Sequence, residues 1–442
     1  LLDYKKEEIV VMRFSIFTPT HKPTFIGEAF ETLLAQTFTD WEWVIVPNGT
    51  AVIPDAIAKH PQVRVVRAPD ELAAKGVGAL KRFACEHCQG ELFVELDHDD
   101  LLTPDALQVI DARAAATDAG FLYSDFTNFR ADHSCQVFMA SHGWESYPFN
   151  WQDKRYTAMR AFETDASALS QIFYAPNHVR VWSREAYFKA GGHDPELHVV
   201  DDHDLICRTY LVGAHFEYIP KCLYLYRLLE NEDNTYLRFN ADIQRMQQEV
   251  SNKYVYRLIA EWCRRNNLPM LDLGGAHNSP AGFKSVDLVN ADVNCDIRKG
   301  LPFPDNSVGC IRAYDFLEHM PHCADSSCDH GASGGLLCTV GLMNEIYRVL
   351  VPGGWLVSRT PSTDGRGAFQ DPTHISFWNQ NSFWYYTNRE QAIYVRGITC
   401  RFQDNRLWQG FPTDWHKANN ILYVYADLVA LKGQRQPGLV KI

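Results

Sequence analysis

The stretch Gly90-Glu91-Leu92-Phe93-Val94-Glu95-Leu96-Asp97-His98-Asp99-Asp100 decides how the first half of the chain is read. Its apolar run suits a buried strand, and the strand stops in three carboxylates set around one histidine. Carboxylates at that spacing repel one another unless a cation lies between them, and hard divalent ions such as Mg²⁺ or Mn²⁺ take oxygen ligands. A bare D-x-D on its own reads as a solvated acidic turn. The sequence on either side decides between the two.

Arg13-Phe14-Ser15-Ile16-Phe17-Thr18-Pro19-Thr20 reads as a strand entering a loop, and the apolar spacing of Phe25, Ile26, Phe30, Leu33 and Leu34 reads as a helix. A second strand, Trp41 to Val46, is stopped by Pro47-Asn48-Gly49-Thr50. Val63 to Val66 forms a third, and Gly76 to His87 a helix that leads into the acidic strand. This alternation is that of an open, mostly parallel α/β sheet, which binds ligands beyond the carboxyl ends of its strands. The acidic cluster stands at such an end.

Composition narrows the class. The chain has 442 residues, enough for two or three domains, and a net charge of −12 that disfavours general attraction to nucleic acid or anionic membrane. Its twelve cysteines form no disulfide-like framework and read as reduced thiols. No apolar run is long enough to span a bilayer, and no leader pattern is seen, so a soluble, cytoplasmic protein is expected. Residues 1–11 precede Met12 and are assigned no function.

Three ordered blocks carry a family resemblance: Leu34-Ala35-Gln36-Thr37-Phe38-Thr39-Asp40-Trp41-Glu42-Trp43-Val44-Ile45-Val46, then Gly76-Val77-Gly78-Ala79-Leu80-Lys81, then Gly90 through Asp100. Together they resemble an inverting glycosyltransferase of family 2 with the GT-A fold. The resemblance implies that Asp97 and Asp99 hold a divalent ion, Mn²⁺ or Mg²⁺, against the diphosphate of a sugar nucleotide. It also implies that Lys81 sits near the phosphates and that Thr18 and Pro19 line the nucleotide pocket. Asn48 stands where the family usually has the first acid of an Asp-Asp-Gly-Ser block, and is counted among the donor-binding residues.

About 100 residues further on, Val181 to Pro195 followed by Asp201-Asp202-His203-Asp204-Leu205 resembles the family's acceptor-side block. An inverting transfer needs a base to take the proton of the attacking hydroxyl, and the matching position is Asp202. Tyr224-Leu225-Tyr226-Arg227 resembles the family's closing Tyr-Arg. Leu229 occupies the place of a metal-binding histidine there, with Glu230 a possible replacement. Trp144, Trp151 and Trp182 read as core residues, with stacking on a sugar as the alternative.

Helical periodicity from Asn240 to Asn266 marks a connector. Beyond it come Met270-Leu271-Asp272-Leu273-Gly274-Gly275-Ala276, a strand ending at Asp287, Asp296-Ile297, Leu301-Pro302-Phe303-Pro304-Asp305-Asn306-Ser307 and Arg348-Val349-Leu350-Val351-Pro352-Gly353-Gly354. In this order they resemble a class I S-adenosylmethionine-dependent methyltransferase. The resemblance implies that Asp272 and Gly274 shape the methionine end of the cofactor site, Asp287 the ribose and Asp296 the adenine, with His374 a candidate base. Between His319 and Cys338, imidazoles and thiols recur at short spacings that match no standard finger or knuckle; the segment reads as a loop insertion, with zinc as the alternative.

The expected architecture is α/β: a GT-A domain at 12–235, a helical connector at 236–267 and a Rossmann-like methyltransferase domain at 268–435. The expected activity is metal-dependent, inverting transfer of a sugar from a UDP- or GDP-sugar to a hydroxyl of a glycan or glycolipid, a modified nucleobase being an alternative acceptor. The second domain is expected to bind S-adenosylmethionine and methylate the same acceptor or product. The competing accounts are a methyltransferase-fold scaffold without turnover, or a non-catalytic nucleotide-sugar or glycan-binding protein.

Overall fold

The computed structural model describes residues 12–171, 175–229, 235–323, 328–331 and 333–441. The chain divides into two compact units, one running to Ala140 and resuming at Trp144–Leu258, the other made of Ser141–Gly143 with Ile259–Ile442. Among the described residues no helix is long and apolar enough to cross a membrane.

The first unit is built on β1 (Phe14–Thr20), β2 (Trp41–Pro47), β3 (Val63–Val65), β4 (Leu92–Glu95), β5 (Leu101–Leu102), β6 (Phe121–Phe129), β7 (Cys135–Gln136), β8 (Ser146–Trp151), β9 (Lys154–Met159), β10 (Arg180–Ser183) and β11 (Phe216–Arg227). Its main order is β3-β2-β1-β4-β10-β6-β11-β5, with β7 and the β8-β9 hairpin attached to β6. Strands β3, β2, β1 and β4 are parallel, and β10 enters antiparallel to both β4 and β6, which makes the sheet mixed. Every residue of β2 and β4 is buried, as expected of parallel strands covered on both faces. Phe14, Ile16, Trp43, Ile45, Val94 and Leu96 form the centre of this core.

Trp144 is buried within it, Trp182 is buried against Phe121 and Tyr187, and Trp151 packs against a smaller cluster around Phe129 and Tyr156, so all three serve packing. The helix Val77–His87 lies close to the chain that precedes the helix Asp201–Leu211, because Gly78 has no side chain: a Cβ there would stand 2.3 Å from the carbonyl oxygen of Asp194. That close approach brings Lys81 to Asp201.

The helix Asn240–Arg265 buries Ile243, Met246, Val250, Tyr254 and Leu258 on one stripe. The second unit holds β12 (Met270–Leu273), β13 (Phe283–Asp287), β14 (Val293–Asn294), β15 (Val308–Tyr314), β16 (Leu350–Pro361), β17 (Phe402–Gly410) and β18 (Tyr423–Ala430). Their order is β14-β13-β12-β15-β16-β18-β17, parallel through β16, with β18 antiparallel to β16 and β17 antiparallel to β18. Leu271, Leu273, Ile311, Leu356, Ala426 and Leu428 form its core.

Candidate active site

Parallel pairing of β1, β2 and β4 delivers the residues at their carboxyl ends to one edge of the first sheet: Thr20, Asn48, and the turn Asp97 to Asp100. Thr18 is fully buried, its hydroxyl donating to the Leu96 carbonyl at 2.6 Å and accepting from the Trp43 indole at 2.8 Å. Its side chain therefore fastens β1 to the end of β4. Pro19 beside it is half-buried. Among the side-chain oxygens left without hydrogen-bond partners at this edge are Thr20 Oγ1 and Asn48 Oδ1, both buried. Such oxygens each cost about 1–3 kcal/mol until a donor reaches them, which is what a bound polar ligand supplies.

The three carboxylates of the turn have different surroundings. Asp100 is buried, accepting the Tyr224 hydroxyl at 2.7 Å and the Arg227 backbone N–H at 2.6 Å. Burial, with Asp99 and Asp97 adding repulsion, pushes its carboxyl well above the usual range. Asp97 keeps 36% of its side-chain surface open. Asp99 is half-buried; burial raises its pKa and the Asp97 charge adds to the rise, while His98 and Arg227 pull it back. A carboxylate whose ionisation is opposed by burial and a neighbouring charge, set beside the partly open Asp97 at a strand end, suits a hard divalent ion, which would relieve it. Asp97 and Asp99 are thus the pair able to hold one.

Sequence reading missed three residues that complete this site. His178 stacks on Tyr224 and Tyr226, with ring centroids 4.6 and 5.8 Å apart, and its Nε2 stands 3.9 Å from Asp97 Oδ2 and 3.8 Å from Glu95 Oε1. Arg180 faces Glu95 because β10 pairs with β4 in that register. A signal was present: Glu95 interrupts an apolar strand, and His178 and Arg180 put two basic groups at the start of another. Leu229 carries no metal-ligating atom, and Glu230 lies outside the described residues.

One buried chain of charges joins the acidic turn to Asp201 and Asp202. Lys81 Nζ donates to Glu95 Oε1 at 2.6 Å and lies 3.3 Å from Asp201 Oδ2, so its charge is held inside this network. Arg180 Nη1 is 2.5 Å from Asp202 Oδ2 and 3.7 Å from Glu95 Oε2. Two cations therefore face three carboxylates. Asp201 relieves the excess: burial, reinforced by Asp202 and Glu95 and opposed by Lys81, pushes it up to about 7. Asp202 moves the other way, since Arg180 and Lys81 outweigh its burial and hold it below the ordinary carboxylate range. The Asp202 side chain is 22% exposed against 4% for Asp201, so Asp202 is the more open of the two.

In the second unit, β14, β13 and β12 are adjacent and parallel, which brings the segments after them to one edge. Asp272 is buried, paired with Arg312 at 2.6 Å and accepting from Ser279 Oγ at 2.8 Å. The following turn needs its glycines: Gly274 has φ +75°, and a Cβ on Gly275 would stand 2.1 Å from Asp272 Oδ2. Asp287 closes β13 and accepts the Leu288 N–H at 2.6 Å. Asp296 caps the short turn Ile297–Lys299 and pairs with the Arg298 guanidinium at 2.9 Å. His374 packs edge-on against His319, with ring centroids 5.1 Å apart.

Comparison with known proteins places the first unit. Over 270 residues the chain is 26% identical to a chondroitin synthase of Escherichia coli, a match that covers 58% of this chain and 35% of that protein. The O-antigen biosynthesis protein RfbC of Myxococcus xanthus is 26% identical over 221 residues, 48% of this chain and 15% of that one. The chain thus spans well under half the length of these relatives. Among solved structures, S. aureus TarS 1-349 in complex with UDP-GlcNAc is 16% identical, with a TM-score of 0.43 over 61% of this chain and 77% of that one. Residues 15–187 match the family described as glycosyl transferase family 2, and the chain therefore carries a domain of that family.

Proposed function

We propose that the first unit transfers a sugar, with inversion, from a nucleotide diphosphate donor to a hydroxyl of a glycan or glycolipid. The observation that carries this reading is the buried chain of His178, Glu95, Lys81 and Arg180, in which His178 meets Asp97 and Arg180 meets Asp202. An inverting transfer needs those two functions together: a base for the attacking hydroxyl and a counter-charge for the departing diphosphate. Mn²⁺ or Mg²⁺ bound at Asp97 and Asp99 would supply the counter-charge. Asp202 is the base; Arg180 orients its carboxylate and keeps it ionised at neutral pH, ready for the hydroxyl proton. Asn48 and Thr20 offer unpaired oxygens to the nucleotide of a UDP- or GDP-sugar, beside Pro19. Thr18 and Lys81 act as positioning residues, through Leu96 and through Glu95 with Asp201.

For the second unit we propose an S-adenosylmethionine-binding domain of class I type at 268–435, joined through the helix of 236–267 to the GT-A domain at 12–235. Its strand order supports this, since the order reverses between β12 and β15, and open α/β sheets bind ligands at such a reversal. Asp287 would meet the ribose, Asp296 the adenine, and the Asp272–Gly274 turn the methionine end. The cofactor would supply an electrophilic methyl, and the protein's part is to align the acceptor oxygen with it.

The test is donor turnover by the full chain with a panel of UDP- and GDP-sugars and Mn²⁺. Asp99→Ala and Asp202→Asn are expected to remain folded, by circular dichroism and a cooperative melt, and to lose about 10²–10⁴-fold in rate. Parental turnover in both refutes the site. Titration calorimetry with S-adenosylhomocysteine tests the second unit: heat abolished by Asp287→Ala supports the pocket, and no heat in the parent favours a scaffold.

A further inference from the structure

The insertion between His319 and the helix Thr339–Val349 does more than loop out. Among the described residues it gathers Cys323, Cys328, His330 and Cys338 so that one ligand atom from each lies within 4.8 Å of all the others. Cys323 Sγ is 3.3 Å from Cys338 Sγ and 3.4 Å from His330 Nδ1, and His330 Nδ1 is 3.2 Å from Cys338 Sγ. The two sulfurs are too far apart for a disulfide, whose bond is about 2.05 Å, and all three cysteines are thiols.

We propose that these four side chains bind one zinc ion as a closed, structural Cys₃His site. With Zn–S about 2.3 Å and Zn–N about 2.0–2.1 Å, the edges of a tetrahedron run to roughly 3.5–3.8 Å, so the observed spacings need open by only a few tenths of an ångström. The imidazole is already set for the task. Its Nε2 donates to the Arg396 carbonyl at 2.8 Å, which fixes the tautomer and turns the Nδ1 lone pair toward the sulfurs.

The surroundings are shaped to that ring. A Cβ on Gly397 would stand 2.2 Å from His330 Cδ2, and one on Gly341 would stand 2.1 Å from the His330 carbonyl oxygen. The ends of the insertion are already joined by the Thr339 N–H donating to the Pro321 carbonyl at 2.9 Å, which sets Cys323 beside Cys338. Three soft sulfurs with one imidazole select zinc over the hard ions that suit Asp97 and Asp99. A four-iron or two-iron cluster would need its ligands spread around a larger core. Binding deprotonates the three thiols, releasing up to three protons and leaving a zinc centre of net charge −1. With four protein ligands and no open position, the ion ties Cys323, Cys328, His330 and Cys338 together beside the Arg396 carbonyl and activates nothing.

The test is elemental analysis of the full chain purified without chelators from zinc-supplemented medium. About one equivalent of zinc per chain is expected, retained in Asp97→Ala/Asp99→Ala and lost from Cys323→Ser/Cys338→Ser. Replacement by cobalt in the parent should give intense near-ultraviolet thiolate-to-cobalt charge transfer together with the visible bands of a tetrahedral ion. A parent without zinc, a double cysteine variant that keeps its zinc, or a cobalt spectrum lacking the sulfur band would each overturn the proposal. If the cysteine variant fails to fold, the cobalt spectrum of the parent decides.

Discussion

Arg180 sits 2.5 Å from Asp202, and the same guanidinium reaches toward Glu95 on the neighbouring strand. The proposed base therefore owes its low pKa to a residue of another element. In Arg180→Gln that support is gone and the Asp202 pKa rises. The acid limb of the kcat/KM profile should move to higher pH, while the alkaline limb stays. An unmoved acid limb would assign the base elsewhere.

Lys81 is buried between Glu95 and Asp201. Lys81→Met leaves buried carboxylates without their cation, and removing one partner of a buried pair costs about 3–5 kcal/mol. Urea unfolding at neutral pH should show a loss of that order.

Asp201 gives stability a pH slope. Its folded pKa of about 7 lies above the ordinary aspartate value of 3.8, so the folded state binds its proton more tightly. The contribution is complete below the unfolded pKa and is lost as pH rises through about 7. Asp201→Asn should flatten the fall in urea midpoint between acid and neutral pH. A slope equal to the parent's would remove Asp201 as its source.

Asn48 Oδ1 has no partner within the protein. Asn48→Ala should leave the melting temperature of the ligand-free protein no lower than the parent's and raise the donor KM by roughly 5- to 30-fold, about 1–2 kcal/mol. A drop in stability with the KM unchanged would make the residue structural.

Gly275→Ala forces a methyl onto the Asp272 carboxylate and strains its pairing with Arg312. A loss of about 1–3 kcal/mol is expected. Gly27→Ala, where nothing lies within 4 Å of the added carbon in the helix Ile26–Leu34, should instead gain up to about 1 kcal/mol.

What could be read from the sequence was local. The alternation of strands and helices, the glycine turn after Leu273 and the acidic end of β4 are written in neighbouring residues. Pairings between distant segments were not. Arg180 meets Glu95 only through the register of an antiparallel strand entering a parallel sheet. Thr18 faces inward because of where Trp43 and Leu96 fall, although its place in the sequence suggested a pocket wall. Cys323, Cys328, His330 and Cys338 fit no standard spacing because the fold, through the Thr339 to Pro321 bond and the gap under Gly397, brings them together.

Asp100 has implications for how the protein is made. It accepts a hydrogen bond from the backbone of Arg227, 127 residues later, and another from the hydroxyl of Tyr224. While the chain is still emerging from the ribosome, the strand that carries the acidic turn has been synthesised, yet the carboxylate at its end has nothing to bury against. The turn takes its final form only once the last strand of the first sheet has been translated and has docked. A chain stalled before Arg227 would hold the residues of the acidic turn without the clasp that shapes them, so the turn is completed only when that unit is almost fully synthesised.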